Sequence, residues 1–274
     1  MELTAQQMEC LKQKEIRLLR AFMEVCEKLN LKYYVLGGTL LGAVRHRGFI
    51  PWDDDIDLGM PREDYEKFLE CAQAHLPENI FVQSFRTDPQ LPCNFSKLRD
   101  SNTTFVEDSI RDVPINHGIY IDIFPLDYYP DRGRKLFSVK ETLLKLRIAD
   151  AFTLKSQKLK VKAARCVARV LYPTVAGAVA KRDKMHRSVI SGRYIANHCG
   201  AWGKKEIVPA EWYGEGTALT FEGLEVQAPS GYREWLTQVY GDYMQLPPEE
   251  KRIPHHYVAA FDPEKPYTEY FGGN

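Results

Sequence analysis

Residues 37–60 read GGTLLGAVRHRGFIPWDDDIDLGM, with aspartate at four of the five positions from 53 to 57. Carboxylates this crowded repel one another at neutral pH, and a divalent cation neutralises such a group. Asp55-Ile56-Asp57-Leu58 alternates polar and apolar, as a half-buried strand does. On that strand Asp55 and Asp57 project together while Ile56 and Leu58 turn into the core. Hard oxygen ligands favour Mg2+ or Mn2+, and magnesium takes one or two carboxylates together with substrate phosphate oxygens. Gly37-Gly38 supplies the complementary half. Without Cβ atoms the backbone approaches a phosphate closely, and a helix opening near Thr39 aims its N–H groups at the anion.

Working outward, Thr4-Ala5-Gln6-Gln7 has capping-box spacing. Met8, Leu11, Leu18, Phe22, Val25 and Leu29 then form one apolar stripe on a helix ending near Asn30. Tyr33 to Leu36 reads as a short buried strand running into the glycine pair. Thr39 to Val44 is expected to be helical with Thr39 as its cap, followed by a basic loop at Arg45-His46-Arg47-Gly48. A helix is expected over 62–74, with broken strand signals around 81–83 and 94–98. Gly118-Ile119-Tyr120-Ile121-Asp122-Ile123-Phe124 is the strongest strand signal, expected to end at Pro125. Asp122, isolated among isoleucines, is a third acid able to join Asp55 and Asp57 from a neighbouring strand. A glycine turn for phosphates and three acids for a metal describe a phosphoryl- or nucleotidyl-transfer site. Each feature alone has an ordinary reading: a plain turn, a solvated acidic loop, a buried hydrogen-bonded strand acid. Their joint occurrence favours the site.

Residues 131–200 read as helical throughout, with 16 Lys/Arg against 3 Asp/Glu between Arg132 and Arg187. Strands return after Pro209, where 219–226 suggests a hairpin turning at Gly223. Tyr232 to Met244 is expected to be a last helix, followed by an extended tail. Over all 274 residues, 37 Lys+Arg balance 37 Asp+Glu, so net charge recommends no polyanion. The six cysteines form no CxxC pair, which speaks against a zinc knuckle or disulfide framework and suits a reducing compartment. No signal-peptide pattern and no apolar run of spanning length is present, so a cytoplasmic location is expected. No GxxxxGK[ST] loop suggests a kinase.

The block at 37–60, followed by Arg62-Glu63-Asp64-Tyr65-Glu66-Lys67-Phe68, resembles the signature of the LicD family of the nucleotidyltransferase-fold superfamily, which includes the fukutin-related transferases. The likeness continues through Lys97-Leu98-Arg99-Asp100, GIYIDIFPLD at 118–127, FEGLEVQAP at 221–229 and YGDYMQLPP at 240–248. It implies an α/β fold of the α+β type, a nucleotidyltransferase-like mixed sheet core with flanking helices, to which the residues themselves add the basic helical segment, the part without a family signature. The units would be a catalytic core at 1–130, the basic segment at 131–212, and a C-terminal hairpin and helix at 213–274. The implied activity is transfer of phosphocholine, or a similar phospho-alcohol such as ribitol phosphate, from a CDP-activated donor, CDP-choline, with release of CMP. The acceptor would be a hydroxyl of a cell-surface glycan, teichoic acid or lipopolysaccharide, or of its lipid-linked precursor.

By the same resemblance, Gly37, Gly38 and Thr39 would cradle phosphates, and Asp55, Asp57 and Asp122 would hold the metal. Asp122 would also be the general base. Asp53 and Asp54 would orient ligands from behind. Lys97 and Arg99 would stabilise the phosphates or departing CMP, and Arg45 and His46 would touch a phosphate; solvated basic side chains are the plainer reading. A quaternary ammonium is recognised by aromatic faces, which points to Trp52 beside the metal motif and to Tyr120, Tyr128 and Tyr129. The basic segment suits a peripheral contact with anionic lipid or a polyanionic precursor on the inner face of the cell membrane, or else a solvated helix face. None of the histidines, including the adjacent His255-His256, shows metal-ligand spacing. Two rivals stay open: a nucleotidyltransferase that leaves NMP on its acceptor, and a non-catalytic glycan- or nucleotide-binding protein.

Overall fold

The computed structural model describes residues 2–153, 158–254 and 256–271. Helix α1 (Ala5–Leu29) opens on the expected box: Thr4 Oγ1 accepts the Gln7 N–H at 3.3 Å and Gln7 Oε1 accepts the Thr4 N–H at 2.9 Å. Leu11, Leu18, Leu19, Phe22 and Val25 form its buried face. Phe22 anchors that face, its ring 5.1 Å from Tyr33 and 5.2 Å from Phe68. The helix stops at Asn30 in the left-handed conformation, φ 52°.

Strand β1 (Tyr34–Val35) leads into α2 (Gly37–His46), and here two expectations are corrected. The helix begins at Gly37, not Thr39. Thr39 lies within the first turn, and its hydroxyl accepts the N–H of Asp57 at 2.8 Å instead of capping. That bond ties α2 to β2 (Asp57–Pro61), which starts at Asp57 and leaves Asp55 in the preceding connection. After α3 (Arg62–Cys71) come β3 (Ile80–Gln83), β4 (Ser96–Asp100), β5 (Thr104–Glu107) and β6 (Ile119–Tyr129). The central sheet runs β1-β2-β6-β4-β3, with β2 and β6 parallel and the other neighbours antiparallel.

Pro125 does not end β6. The strand pairs with β4 as far as Ile123 and with β7 (Tyr194–Asn197) from Leu126 onward. Pro125 falls at that changeover, where a missing N–H interrupts neither ladder on that edge. β7 also corrects the expectation of helix through residue 200: it joins the sheet and carries β8 (Ile207–Pro209) beyond it.

The basic segment forms α4 (Arg134–Ile148), α5 (Leu159–Leu171) and α6 (Val175–Arg187), with α4 packed on both others over Leu144, Ile148, Ala178 and Val179. β9 (Thr217–Phe221) and β10 (Leu224–Ala228) make the expected hairpin, turning through Glu222 and Gly223 at φ 48° and 75°. α7 (Tyr232–Tyr240) ends at Gly241, φ 76°, short of the expected Met244. The tail is not merely extended. It contains β11 (Val258–Asp262), paired antiparallel with β5, and α8 (Tyr267–Phe271). The whole is a mixed α/β fold with a curled mixed sheet, consistent with a nucleotidyltransferase-like core. No described helix is long and apolar enough to cross a membrane.

Candidate active site

Sheet register builds the centre of the site. Asp57 on β2 lies directly beside Asp122 on β6, and Asp122 directly beside Lys97 on β4. Cross-strand partners share a face, so the three form one row over the sheet. Lys97 Nζ donates to Asp122 Oδ1 at 2.8 Å and lies 3.4 Å from the centre of the Tyr120 ring. The start of α2 closes one side of the row. Space that a Cβ would need at Gly37 is taken by the Asp57 carboxylate, and at Gly38 by that of Asp53. No side chain caps α2.

Burial and mutual repulsion shape the acids. Asp55 is pushed up to about 7 by burial and then by Asp53, with His256 pulling the other way. Asp57 is held well above the ordinary carboxylate range by burial, then by Asp55 and Asp122. Burial also raises Asp122, against the pull of Lys97. Beneath them, burial followed by Asp55, Asp54 and Asp53 keeps Glu15 of α1 well above its usual value. Oxygen donors forced together at this cost fit a hard divalent cation. Donor atoms of Asp53, Asp54 and Asp55 lie within 4.8 Å of one another, whereas the set expected from sequence, Asp55, Asp57 and Asp122, does not form such a group.

His256 is the residue that sequence reading missed. It precedes β11, its N–H donates to Asp54 Oδ2 at 3.1 Å, and its Nδ1 is 3.2 Å from Asp54 Oδ1. Its Nε2 is 3.8 Å from Glu107. Burial disfavours its charge, but the Asp54 bond and the charges of Asp55 and Glu107 raise it to about 10, so an imidazolium stands beside the acids at neutral pH. Glu107 is correspondingly lowered to about 2: burial opposes this, and Lys97, His256 and Arg99 outweigh it. His255 lies outside the described residues.

A cavity of about 1150 Å³ opens over this row. Of the residues singled out from sequence, Gly37, Gly38, Arg45, Trp52, Asp53, Asp55, Asp57 and Asp122 line it, so Asp53 faces the cavity and does not stand behind the site. Thr39 lies underneath, bonded to Asp57, and His46 is exposed beside Arg45. Lys97 stands behind Asp122 and not in the cavity. Arg99 is fully buried, donating to Gln83 and the Gly118 carbonyl. The aromatic expectation shifts as well. Arg252 sits over the Trp52 ring, 5.6 Å from its centre, and Tyr120 is covered by Lys97 and Arg99. Trp202, Tyr240 and Tyr243 line the cavity along with Trp52, while Tyr120 does not. Glu206 lines it too, pushed up to about 7 by burial.

A second cluster brings Glu141, His186 and His198 within ligand distance, although sequence spacing suggested no such group. Arg182 forks onto the Glu141 carboxylate, Nη2 to Oε1 at 2.7 Å.

The profile of the LicD/FKTN/FKRP nucleotidyltransferase domain matches residues 30–159, which contain the glycine pair and all the acids of the row. The lipopolysaccharide cholinephosphotransferase LicD of Haemophilus influenzae is 30% identical over 272 residues, covering 94% of this chain and 97% of that protein. The ribitol 5-phosphate transferases FKRP of Homo sapiens and Mus musculus are 29% and 28% identical over 114 residues, 42% of this chain and 20% of theirs.

Proposed function

The chain belongs to the LicD family, and from that premise we propose that it moves phosphocholine from CDP-choline to a hydroxyl of a cell-surface glycan or its lipid-linked precursor, releasing CMP. Two kinds of relative are named for moving a phosphorylated alcohol, choline phosphate in one and ribitol 5-phosphate in the other. A phospho-alcohol transferase acting in glycan modification is the reading they share. The observation that carries it to this chain is the Asp57-Asp122 pair beside the start of α2, on the floor of one cavity, with Lys97 behind Asp122.

The uncapped N–H groups at the start of α2 suit the donor's diphosphate. Asp55, Asp57 and Asp122 would hold Mg2+ or Mn2+, which offsets the charge on the transferred phosphoryl group. Asp122 is the base. The acceptor oxygen bonds to the β-phosphorus, the bond from that phosphorus to the bridging oxygen breaks, CMP leaves with the electron pair, and the acceptor's proton passes to the Asp122 carboxylate. Lys97, 2.8 Å from Oδ1, favours the charged form of that carboxylate and fixes its orientation. Arg45 and Arg252 line the cavity as cations for the leaving CMP, and Trp202, Tyr240 and Tyr243 offer aromatic surface to a quaternary ammonium. In this reading the reaction is cytoplasmic, in keeping with six free cysteines.

A donor panel tests it: CDP-choline, CDP-ribitol, CDP-glycerol and CDP-ethanolamine, with Mg2+ or EDTA, read as CMP. CMP from CDP-choline alone supports the reading in full. CMP from another member moves the head group and keeps the class. Pyrophosphate from a nucleoside triphosphate, with no CMP from any donor, would replace it with a nucleotidyltransferase.

A further inference from the structure

The apolar face of α5 is on the wrong side for a helix stabilised only by its own fold. Its packed side carries Arg165 and Ala168. Leu159, Ala163, Cys166, Val167 and Val170 recur at three- and four-residue steps on the opposite side, where Leu159 is 82%, Val167 51% and Val170 81% exposed. Lys160 and Lys162 are exposed, one on each margin of that stripe, while Arg169 beside Lys162 is paired with Asp150. An amphipathic helix ordinarily turns its apolar stripe to the core; α5 turns it to solvent between lysines.

The surrounding charge is one-signed. All three acids between Arg132 and Arg187 are engaged within the segment or with the core. Asp150 accepts from Arg169 at 2.8 Å and Arg147 at 3.1 Å, Glu141 from Arg182 at 2.7 Å, and Asp183 from Arg187 at 2.9 Å and Arg62 at 3.0 Å. None of the three is exposed. The solvent-facing charge of this segment is therefore cationic.

We infer that the outward face of α5 is a membrane-contact surface for anionic phospholipid. A second copy of the chain would cover the aliphatic stripe but bring the flanking lysines together. A polyanionic glycan would pair with the cations and leave Leu159, Val167 and Val170 in water. An anionic bilayer surface meets both needs: aliphatic side chains enter the headgroup boundary while the flanking lysines meet anionic headgroups. The inference rests on α5 and its charges, independent of the donor reading.

Sedimentation of the full chain with phosphatidylcholine vesicles, with and without phosphatidylglycerol, tests it. The wild type is expected to sediment with the anionic vesicles, less so as salt rises. Val167→Asp/Val170→Asp is expected to lose binding about tenfold or more. Lys160→Glu/Lys162→Glu, on exposed positions that leave the fold intact, is expected to lose the preference for phosphatidylglycerol. CMP release from CDP-choline in solution, unchanged in both variants, separates this result from failure of the donor reading. A wild type left in the supernatant at low salt, or variants that sediment like it, would overturn the inference. So would a concentration-dependent dimer abolished by Val170→Asp in a protein that ignores vesicles.

Discussion

Asp122 has the most demanding position in the site, because it is both beside Asp57 and held by Lys97. Removing Lys97 would leave a buried charge unpaired, a change that costs about 3–5 kcal/mol in proteins generally. Removing the charge of Asp122 is gentler on the fold and harsher on chemistry. Asp122→Asn keeps the shape and loses the base, so CMP release in steady-state assays is expected to fall by about 10²–10⁴ while the folded state survives. An unchanged rate would take the base role from Asp122. Glu206 gives a separate pH signature. Its carboxyl is raised by burial to about 7, so its favourable neutral form is complete at pH 4.5 and is lost as pH rises through 7. In EDTA, Glu206→Gln is expected to gain stability over the wild type across that window, on the order of 3 kcal/mol by pH 8, read from denaturant midpoints. A constant difference from pH 4.5 to 8 would contradict it. Asp55, Asp57 and Asp122 were legible in the sequence because acids alternating with aliphatics have few explanations. His256 was not, since its bond to Asp54 spans 202 positions and only the fold creates the pair.

The elements that set these residues are α2 and the two strands it meets. Gly37 has φ 51° and its missing Cβ makes room for the Asp57 carboxylate. Gly37→Ala therefore adds backbone strain of about 1–3 kcal/mol and displaces the Asp57 carboxylate. Loss of CMP release with retained secondary structure is expected by circular dichroism and assay; full activity would show that the close approach is unimportant. A capping box and an apolar stripe marked α1, and apolar runs punctuated by glycine marked β1 and the β9–β10 hairpin, from local chemistry alone. Pro125 misled because a proline within a strand is read as its end, whereas the changeover from β4 to β7 makes the position tolerant. β7 and β11 went unseen for a related reason: each is short and is stabilised by a distant partner, β6 and β5 respectively.

Across the whole molecule a net charge of zero conceals two opposite regions, acids gathered at the sheet and α2, cations spread over α4 to α6. Among the raised acids, Asp55 titrates near 7. A divalent cation bound only to the folded state stabilises it by about 2.7 kcal/mol at a hundredfold excess over its Kd. Protons compete for the same carboxylates, so the Mg2+-induced rise in Tm is expected to be larger at pH 8 than at pH 6 by thermal melting, and absent in Asp57→Ala. A rise that ignores pH and the substitution would place the cation elsewhere. The most direct measurement is CMP release from CDP-choline by wild type and Asp57→Ala, each checked for folding, with Mg2+ or with EDTA. Turnover is expected in the wild type, stopped by EDTA and at least about a thousandfold lower in the variant. Turnover that survives both EDTA and the loss of Asp57 would contradict a metal-dependent transferase centred on the aspartates.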